Sequence, residues 1–372
     1  YIVKGLRQHG AEVVIYATKN ALKYIGKMTL EHATGNKVIL KLSENSEHLW
    51  EYNAYIVAPA TLNTINKMAN GIADNAVATT LSAALGRVQK GKTKILVAPA
   101  MHGEMYENPA LKKNIEFLKS VGVKFIEPKH EEGKAKLADA ESIVAYAEHE
   151  MSNDPLKGKN VLINAGPTCG KIDNVRAITN IFTGRTGVLI ADEAFRRGAN
   201  VKLIYGSGIQ KVPEYLNTVR VIYFEEMHEQ VMKEVTSKKY DVGIFSAAIS
   251  DYVPEKSVDG KIRSGSSITE IKLKPTSKII KEVREKCPDM QMVTFKLENK
   301  ISIEKLLEIG KKRLEEGYEI VVVNRLEDID DNMHKSFIMN RDEVAETETK
   351  EETAKRLLDI IGKKSAPKFE VG

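Results

Sequence analysis

Short apolar runs that stop at small-residue turns and give way to helical spacing recur from one end of this chain to the other. That alternation constrains its fold more than any other feature. In the first half, 13–16, 55–58, 95–98 and 123–126 read as strands, with 63–70, 74–85 and 110–121 carrying helical spacing between them. In the second half, strands are expected at 161–164, 201–205, 242–245, 292–295 and 320–323. An edge strand at 336–340, a closing helix at 350–361 and a loose tail at 363–372 follow. Strands alternating with helices argue for an α/β fold with parallel sheets covered on both faces. Ligands bind such sheets at the carboxyl ends of strands, so the turns after the strands are where chemistry is sought.

A length of 372 residues exceeds what one hydrophobic core usually supports. The polar, breaker-rich stretch 151–159 (Met151, Ser152, Asn153, Asp154, Pro155, then Lys157-Gly158-Lys159) separates an expected first domain, 1–150, from a second, 151–372. Cys169 and Cys287 lie far apart without CxxC spacing, so neither a disulfide framework nor a zinc site is expected, and a reducing cytoplasm fits. No apolar run approaches the roughly 20 residues of a membrane span. The net charge of +5 is spread over mixed-sign segments such as 303–316, which argues against nucleic acid and leaves anionic small molecules as partners. The chain opens at Tyr1 on the helical pattern Ile2, Val3, Leu6, followed by a strand at 12–16. This reads as the middle of a βαβ unit whose first strand and turn precede it.

Residue chemistry gathers at the turns. Strand 161–164 runs into Ala165-Gly166-Pro167-Thr168, which is no GxGxxG and reads equally as a structural turn. Asp251 directly follows a strand and the pair Ala247-Ala248, where it is a metal ligand or a loop cap. In the first half, Pro59-Ala60 and Pro99-Ala100 end two strands and place Thr61, Asn63 and Thr64 at one sheet edge, with Thr18 beside them. Helix capping by Thr61 or Asn63 calls for the same residue types. His48 and Lys261, taken singly, read as a structural or solvated histidine and a solvated surface lysine before they read as functional. Cys169 has no neighbouring histidine to generate a thiolate and reads as a packed small residue. A nicotinamide dehydrogenase would need a GxGxxG followed by a ribose-binding acid, which the chain lacks.

The run Ile172-Asp173-Asn174-Val175-Arg176-Ala177-Ile178-Thr179-Asn180 is followed by Thr183-Gly184-Arg185-Thr186-Gly187. Together with Ala247-Ala248-Ile249-Ser250-Asp251-Tyr252, Lys261-Ile262-Arg263 and Val322-Val323-Asn324, it closely resembles the phosphopantothenate–cysteine ligase domain, over nearly all of 156–361. The resemblance implies that a nucleoside triphosphate, usually CTP, activates the carboxylate of 4′-phosphopantothenate as an acyl nucleotidylate, from which the amine of cysteine displaces CMP. It implies Arg176 and Lys261 at anionic oxygens, Mg²⁺ on Asp251, and Asn180 as donor to the acyl-phosphate centre. Gly166, Ala247, Thr276, Ser277, Lys278, Ile279, Phe295 and Lys312 match further substrate or nucleotide positions. Thr276 to Ile279 stand where the family has Asn-Pro-Asp-Ile, and Phe295-Lys296-Leu297-Glu298 where it has Phe-Ala-Ala-Glu-Thr. The choice between CTP and ATP therefore stays open.

The first half carries Ala58-Pro59-Ala60-Thr61-Leu62-Asn63-Thr64 and Ala98-Pro99-Ala100-Met101-His102, with Met105 and Asn108-Pro109 behind. These resemble the PASANT and PxMNxxMW motifs of flavin-dependent cysteine decarboxylases. The resemblance implies two Rossmann-like three-layer domains, the first flavodoxin-like, with FMN held by Thr18, Pro59, Ala60, Thr61, Asn63 and Thr64. His48 matches the catalytic histidine, and Met101, His102 and Met105 match substrate contacts. His102 replaces the family's carboxylate-binding asparagine, and Glu131 to Leu137 occupy the flap without its cysteine. His102, a flap glutamate or water is then left to reprotonate the enethiolate. Two readings stay open: a bifunctional ligase and decarboxylase, or an active ligase beside a non-catalytic, flavin-binding, oligomer-forming domain. Relatives combine trimeric flavin contacts with dimeric ligase contacts, which implies a cytoplasmic homo-oligomer, a dodecamer.

Overall fold

A computed structural model describes residues 1–263, 265, 270–330 and 333–363, and divides into two units, Tyr1–Ser152 and Asn153–Gly372. The tail expected at 363–372 lies, from 364 on, outside the described residues.

The first unit runs α1 (Ile2–Gln8), α2 (Lys27–Thr34), β1 (Ala54–Ala60), α3 (Leu62–Ala69), α4 (Ala76–Val88), β2 (Lys94–Pro99), β3 (Met101–His102), α5 (Gly103–Tyr106), α6 (Pro109–Ser120), β4 (Lys124–Phe125), β5 (Lys129–Glu131), β6 (Lys134–Lys136) and α7 (Ala140–Met151). Strands β1, β2 and β4 form a parallel sheet in that order. Ile95 to Ala98 are fully buried because both faces are covered. Ile95 and Val97 join a core with Ile65, Met68, Leu81 and Leu111. Leu96 and Ala98 face the other way, into a core with Leu6, Ile143, Val144 and Ala147. This is the period-2 alternation of a strand between two helical layers. Asn75 and Asn108 cap α4 and α6 through their side-chain oxygens.

Two expectations for this unit are corrected. The expected strand at 12–16 makes a single parallel bridge, Tyr16 with Ile39, so it forms no ladder among the described residues. The strand expected at 123–126 pairs only through Lys124 and Phe125, since β2 offers it just Leu96 and Val97.

The second unit runs β7 (Asn160–Ala165), β8 (Cys169–Lys171), β9 (Ala177–Thr179), α8 (Arg185–Arg196), β10 (Asn200–Tyr205), β11 (Asn217–Arg220), α9 (Phe224–Ser237), β12 (Val242–Phe245), β13 (Tyr252–Pro254), β14 (Leu273–Pro275), α10 (Ile279–Lys286), β15 (Gln291–Glu298), α11 (Ile303–Glu315), β16 (Ile320–Arg325), β17 (Ser336–Met339), β18 (Val344–Thr347) and α12 (Lys350–Gly362). Its eight-stranded sheet has the order β11-β10-β7-β12-β15-β16-β17-β18. Pairing is parallel from β11 to β16 and antiparallel at β16–β17 and β17–β18. The sheet is therefore mixed rather than wholly parallel. The strand expected at the edge, 336–340, is internal, because Asn340 turns the chain back. Its Oδ1 accepts the N–H groups of Asp342 at 2.8 Å and Glu343 at 2.7 Å, and β18 follows.

The passage from β7 to α8 is not a direct strand-to-helix turn. An antiparallel hairpin, β8 with β9, intervenes. Gly187 then lets α8 lie on the sheet, since a Cβ there would stand 2.3 Å from the Ala165 Cβ and 2.5 Å from Ser246 Oγ.

Candidate functional site

In the second unit the chain leaves β7, adds β10 and β11 on one side, and returns to place β12 on the other. Such a reversal opens a crevice at the carboxyl ends of β7 and β12. The loops that follow the two strands are tied together there. The Ala248 N–H donates to the Gly166 carbonyl at 3.1 Å. The Ser250 N–H donates to Thr168 Oγ1 at 3.0 Å, and the Ser250 hydroxyl to the Thr168 carbonyl at 2.8 Å. Asn180 joins the same strip, with Nδ2 donating to the Ala248 carbonyl at 2.9 Å. The Ala247 N–H is held by Asn164 Oδ1 at 3.2 Å. Gly166 adopts φ 78°, which a side chain would strain. A third loop adds Thr276, whose hydroxyl donates to the Ser250 carbonyl at 2.8 Å, and Lys278, whose Nζ lies 2.5 Å from Asp251 Oδ1.

Not every expected residue reaches this crevice. Ile279 is only 3% exposed and packs in the core, so its side chain cannot face a nucleotide. Lys312 stands near the end of α11, nine residues from Ile303 and so roughly 13 Å along the helix from the turn that follows β15. Phe295 is partly buried within β15, opposite Val322. Ser277 is exposed, next to Lys278.

Asp173 is a site residue that sequence reasoning passed over. It is 1% exposed and collects four donors. Its Oδ1 accepts the Val175 N–H at 2.8 Å and the Arg176 N–H at 2.6 Å. Its Oδ2 accepts Arg176 Nη1 at 2.7 Å and the Ile262 N–H at 3.0 Å. Arg176 Nη1 also donates to the Ile262 carbonyl at 3.2 Å. One carboxylate thus fixes the hairpin that carries Arg176 to the loop that carries Lys261. Lys261 itself is exposed and makes no side-chain hydrogen bond among the described residues. The available signal was an Asp three residues before the Arg.

Hydrogen bonds to the charged form, that of the Ile262 N–H first, hold the Asp173 carboxyl down at about 2, from an ordinary value of 3.8. A depressed value means the contact is at full strength above about pH 4 and is lost as pH falls toward 2. Pepsin, normalised to an unfolded substrate, should therefore cut within 172–180 or 258–263 several-fold faster at pH 2 than at pH 4. Asp173→Asn should remove that pH step. Equal rates in the native chain at both pH values would refute the assignment.

In the first unit, β1 ends in Pro59-Ala60 and β2 in Pro99, with Ala60 opposite Pro99. Thr61 caps α3: its Oγ1 accepts the Thr64 N–H at 3.3 Å, and the two hydroxyls lie 3.1 Å apart. Asn63, in the first turn of α3, is exposed with no hydrogen bond to its amide among the described residues. Thr18 Oγ1 accepts the Ala21 N–H at 3.2 Å. At the end of β2 the chain passes into β3, which forms a small antiparallel sheet with the flap strands in the order β3-β6-β5. His102 stands opposite Lys134, and Lys134 opposite Glu131, so these three share one face of that sheet. Met101 faces the other way, toward the buried Ala135. Met105 is exposed on α5.

His48 lies in the 3₁₀ turn Glu47–Leu49, with its Nδ1 buried and without a hydrogen-bond partner. Among the described residues, no hydrogen bond joins it to residues 59–64 or to His102.

The Flavoprotein family model matches residues 1–152, and the model of the DNA/pantothenate metabolism flavoprotein C-terminal domain matches 156–364. The chain is 40% identical to the coenzyme A biosynthesis bifunctional protein CoaBC of Thermococcus kodakarensis, over 97% of this chain and 91% of that one. To its namesake in Methanocaldococcus jannaschii it is 33% identical, over 97% of this chain and 89% of that one. The crystal structure of the DNA/pantothenate metabolism flavoprotein from Streptococcus pneumoniae superposes with a TM-score of 0.50 at 28% identity, covering 55% of this chain and 98% of that one. Both halves thus match, in one order, within single relatives. The chain belongs to the family of bifunctional coenzyme A biosynthesis proteins, enzymes that combine a ligase with a decarboxylase.

Proposed function

We propose that the second unit uses CTP to join 4′-phosphopantothenate to cysteine in the β7–β12 crevice, and that the first unit decarboxylates the product with FMN. The observation that carries this reading is the Asp173 junction, which sets two cations, Arg176 and Lys261, beside loops already knit by Asn180, Thr168 and Ser250. The substrate carboxylate attacks the α-phosphorus, releasing pyrophosphate and forming the acyl nucleotidylate. The amine of cysteine then attacks the acyl carbon and releases CMP, while its proton passes to solvent. Arg176 and Lys261 neutralise the gathering anions, and Asn180 Nδ2 donates to the acyl-phosphate oxygen.

Among the described residues no group of three or more His, Cys, Asp or Glu could hold a metal ion. Asp251 alone suits Mg²⁺ that arrives on the triphosphate and keeps phosphate and water as its other ligands, with Lys278 displaced from Oδ1. Thr276, Ser277 and Lys278 are the base-side contacts whose departure from the family sequence makes ATP the competitor to test.

In the first unit, the hydroxyls of Thr18, Thr61 and Thr64 and the unbonded amide of Asn63 fit the phosphate and ring carbonyls of FMN, beside the backbone of Pro59 and Ala60. When bound, FMN supplies reversible two-electron oxidation of the substrate's thiol-bearing carbon. His48 moves the proton of that thiol. His102 donates to the departing carboxylate, and His102 or Glu131, on one face of the flap sheet, returns a proton to the enethiolate. In this reading a second copy completes the site, since among the described residues no hydrogen bond joins His48 to residues 59–64. Exposed Val175, Ile178, Ile181 and Phe182 support a ligase dimer, one of the two kinds of contact that the proposed cytoplasmic dodecamer would use.

Protein incubated with phosphopantothenate, cysteine, Mg²⁺, FMN and either nucleotide should release pyrophosphate faster with CTP than with ATP, followed by carbon dioxide. Pyrophosphate without carbon dioxide would leave the first unit a non-catalytic flavin-binding module. No pyrophosphate with either nucleotide would sink the ligase.

A further inference from the structure

We infer that Arg87 is a positioning residue for His48, an inference that rests on the catalytic reading of His48. An imidazole that handles protons ordinarily takes its tautomer and orientation from a hydrogen bond on its second nitrogen. His48 lacks one, since its buried Nδ1 has no partner. Its placement falls to the turn that carries it, and that turn is held on both sides. On the amino side, the Tyr16 hydroxyl donates to the Glu47 carbonyl at 2.7 Å. The buried Glu47 carboxylate accepts the Ser43 N–H at 2.8 Å and the Ser43 hydroxyl at 2.5 Å.

On the carboxyl side the holding is done from α4. Arg87 Nη2 donates to the Leu49 carbonyl at 2.7 Å. Its Nη1 donates to the Trp50 carbonyl at 2.8 Å and to the Tyr55 hydroxyl at 3.1 Å. All three acceptors are neutral oxygens, and no carboxylate pairs with Arg87 among the described residues. The guanidinium therefore serves as a clamp, and its planar fork reaches two consecutive carbonyls in a way a lysine ammonium cannot match.

The test uses the full chain with FMN. Arg87→Met should lower kcat for carbon dioxide release roughly tenfold or more, with KM within twofold, unchanged flavin absorbance and unchanged pyrophosphate release by the ligase half. Arg87→Lys should fall between Arg87→Met and the native chain. Because Arg87 acts only through His48, adding Arg87→Met to His48→Asn should slow the reaction no further. Carbethoxylation of His48 by diethylpyrocarbonate, read by peptide mass spectrometry without flavin, should speed up several-fold in Arg87→Met. Native kcat in Arg87→Met, a double variant slower than His48→Asn, or unchanged His48 modification overturns the inference. Should Arg87→Met fail to fold, Arg87→Lys carries the same comparison with flavin content as the control. If His48→Asn itself decarboxylates at the native rate, the catalytic reading fails, and the modification rates still decide on the clamp.

Discussion

Replacing His48 with asparagine is expected to slow carbon dioxide release by about 10²–10⁴-fold, the contribution of a well-placed proton-transfer group. Pyrophosphate release from the same molecules should not change, because the ligase crevice is built wholly from residues after 160. Asparagine keeps much of the size and polarity of imidazole but cannot carry a proton, so the variant separates chemistry from packing. The measurement is single-turnover carbon dioxide release from supplied phosphopantothenoylcysteine, with flavin absorbance confirming the fold. A loss below threefold would move the proton-handling role elsewhere, with His102 and Glu131 next to test.

The largest effect on the other half is expected from Asp173→Asn, a change of one atom. Oδ1 would still accept the Val175 and Arg176 N–H groups, but an amide NH₂ would now face the Ile262 N–H and Arg176 Nη1, two donors turned on a third. Both the hairpin and the Lys261 loop lose their common anchor. The ligase rate should fall about 100-fold or more, comparable to the loss of a group that stabilises developing charge. Decarboxylation of supplied phosphopantothenoylcysteine should stay at the native rate. An Asp173→Asn chain that ligates normally would reduce the Asp173 junction to an incidental contact.

Much of this was legible in the sequence, and the exceptions have physical causes. β1, β2, β7, β10, β12 and β16 were visible because buried parallel strands read as unbroken apolar runs. β8 and β9 were not, since Cys169 to Lys171 and Ala177 to Thr179 are three-residue strands without a clear apolar run, paired with each other outside the main sheet. β18 hid because Val344, Ala345, Glu346 and Thr347 make only a short, mixed run, half exposed on the sheet's edge. At the crevice, Asn180 bonds the Ala248 carbonyl, Thr276 the Ser250 carbonyl and Lys278 the Asp251 carboxylate, all on the loop that follows β12. Asp173 was overlooked because a carboxylate that binds only neighbouring N–H groups and one arginine looks, in a string of letters, like an ordinary turn residue. Arg87 was invisible for a similar reason. It sits 39 positions from His48, and two of its three acceptors are backbone carbonyls, which no side-chain pattern records. Ile279 shows another limit: at a position matched to a contact, the side chain itself is taken up by the core.

β2 lends Ile95 and Val97 to one apolar cluster and Leu96 and Ala98 to another. A strand shared in this way fuses the two clusters into one melting unit. Neither the α3–α4–α6 layer nor the α1–α7 layer can peel away without wetting the back of the strand that holds the other, so partial unfolding gains little entropy for the surface it exposes. The loops at the end of that strand accordingly ride on a part of their unit that resists local opening. The flap hairpin of β5 and β6, joined to the rest by the pairing of β6 with the two residues of β3, can fluctuate without disturbing it.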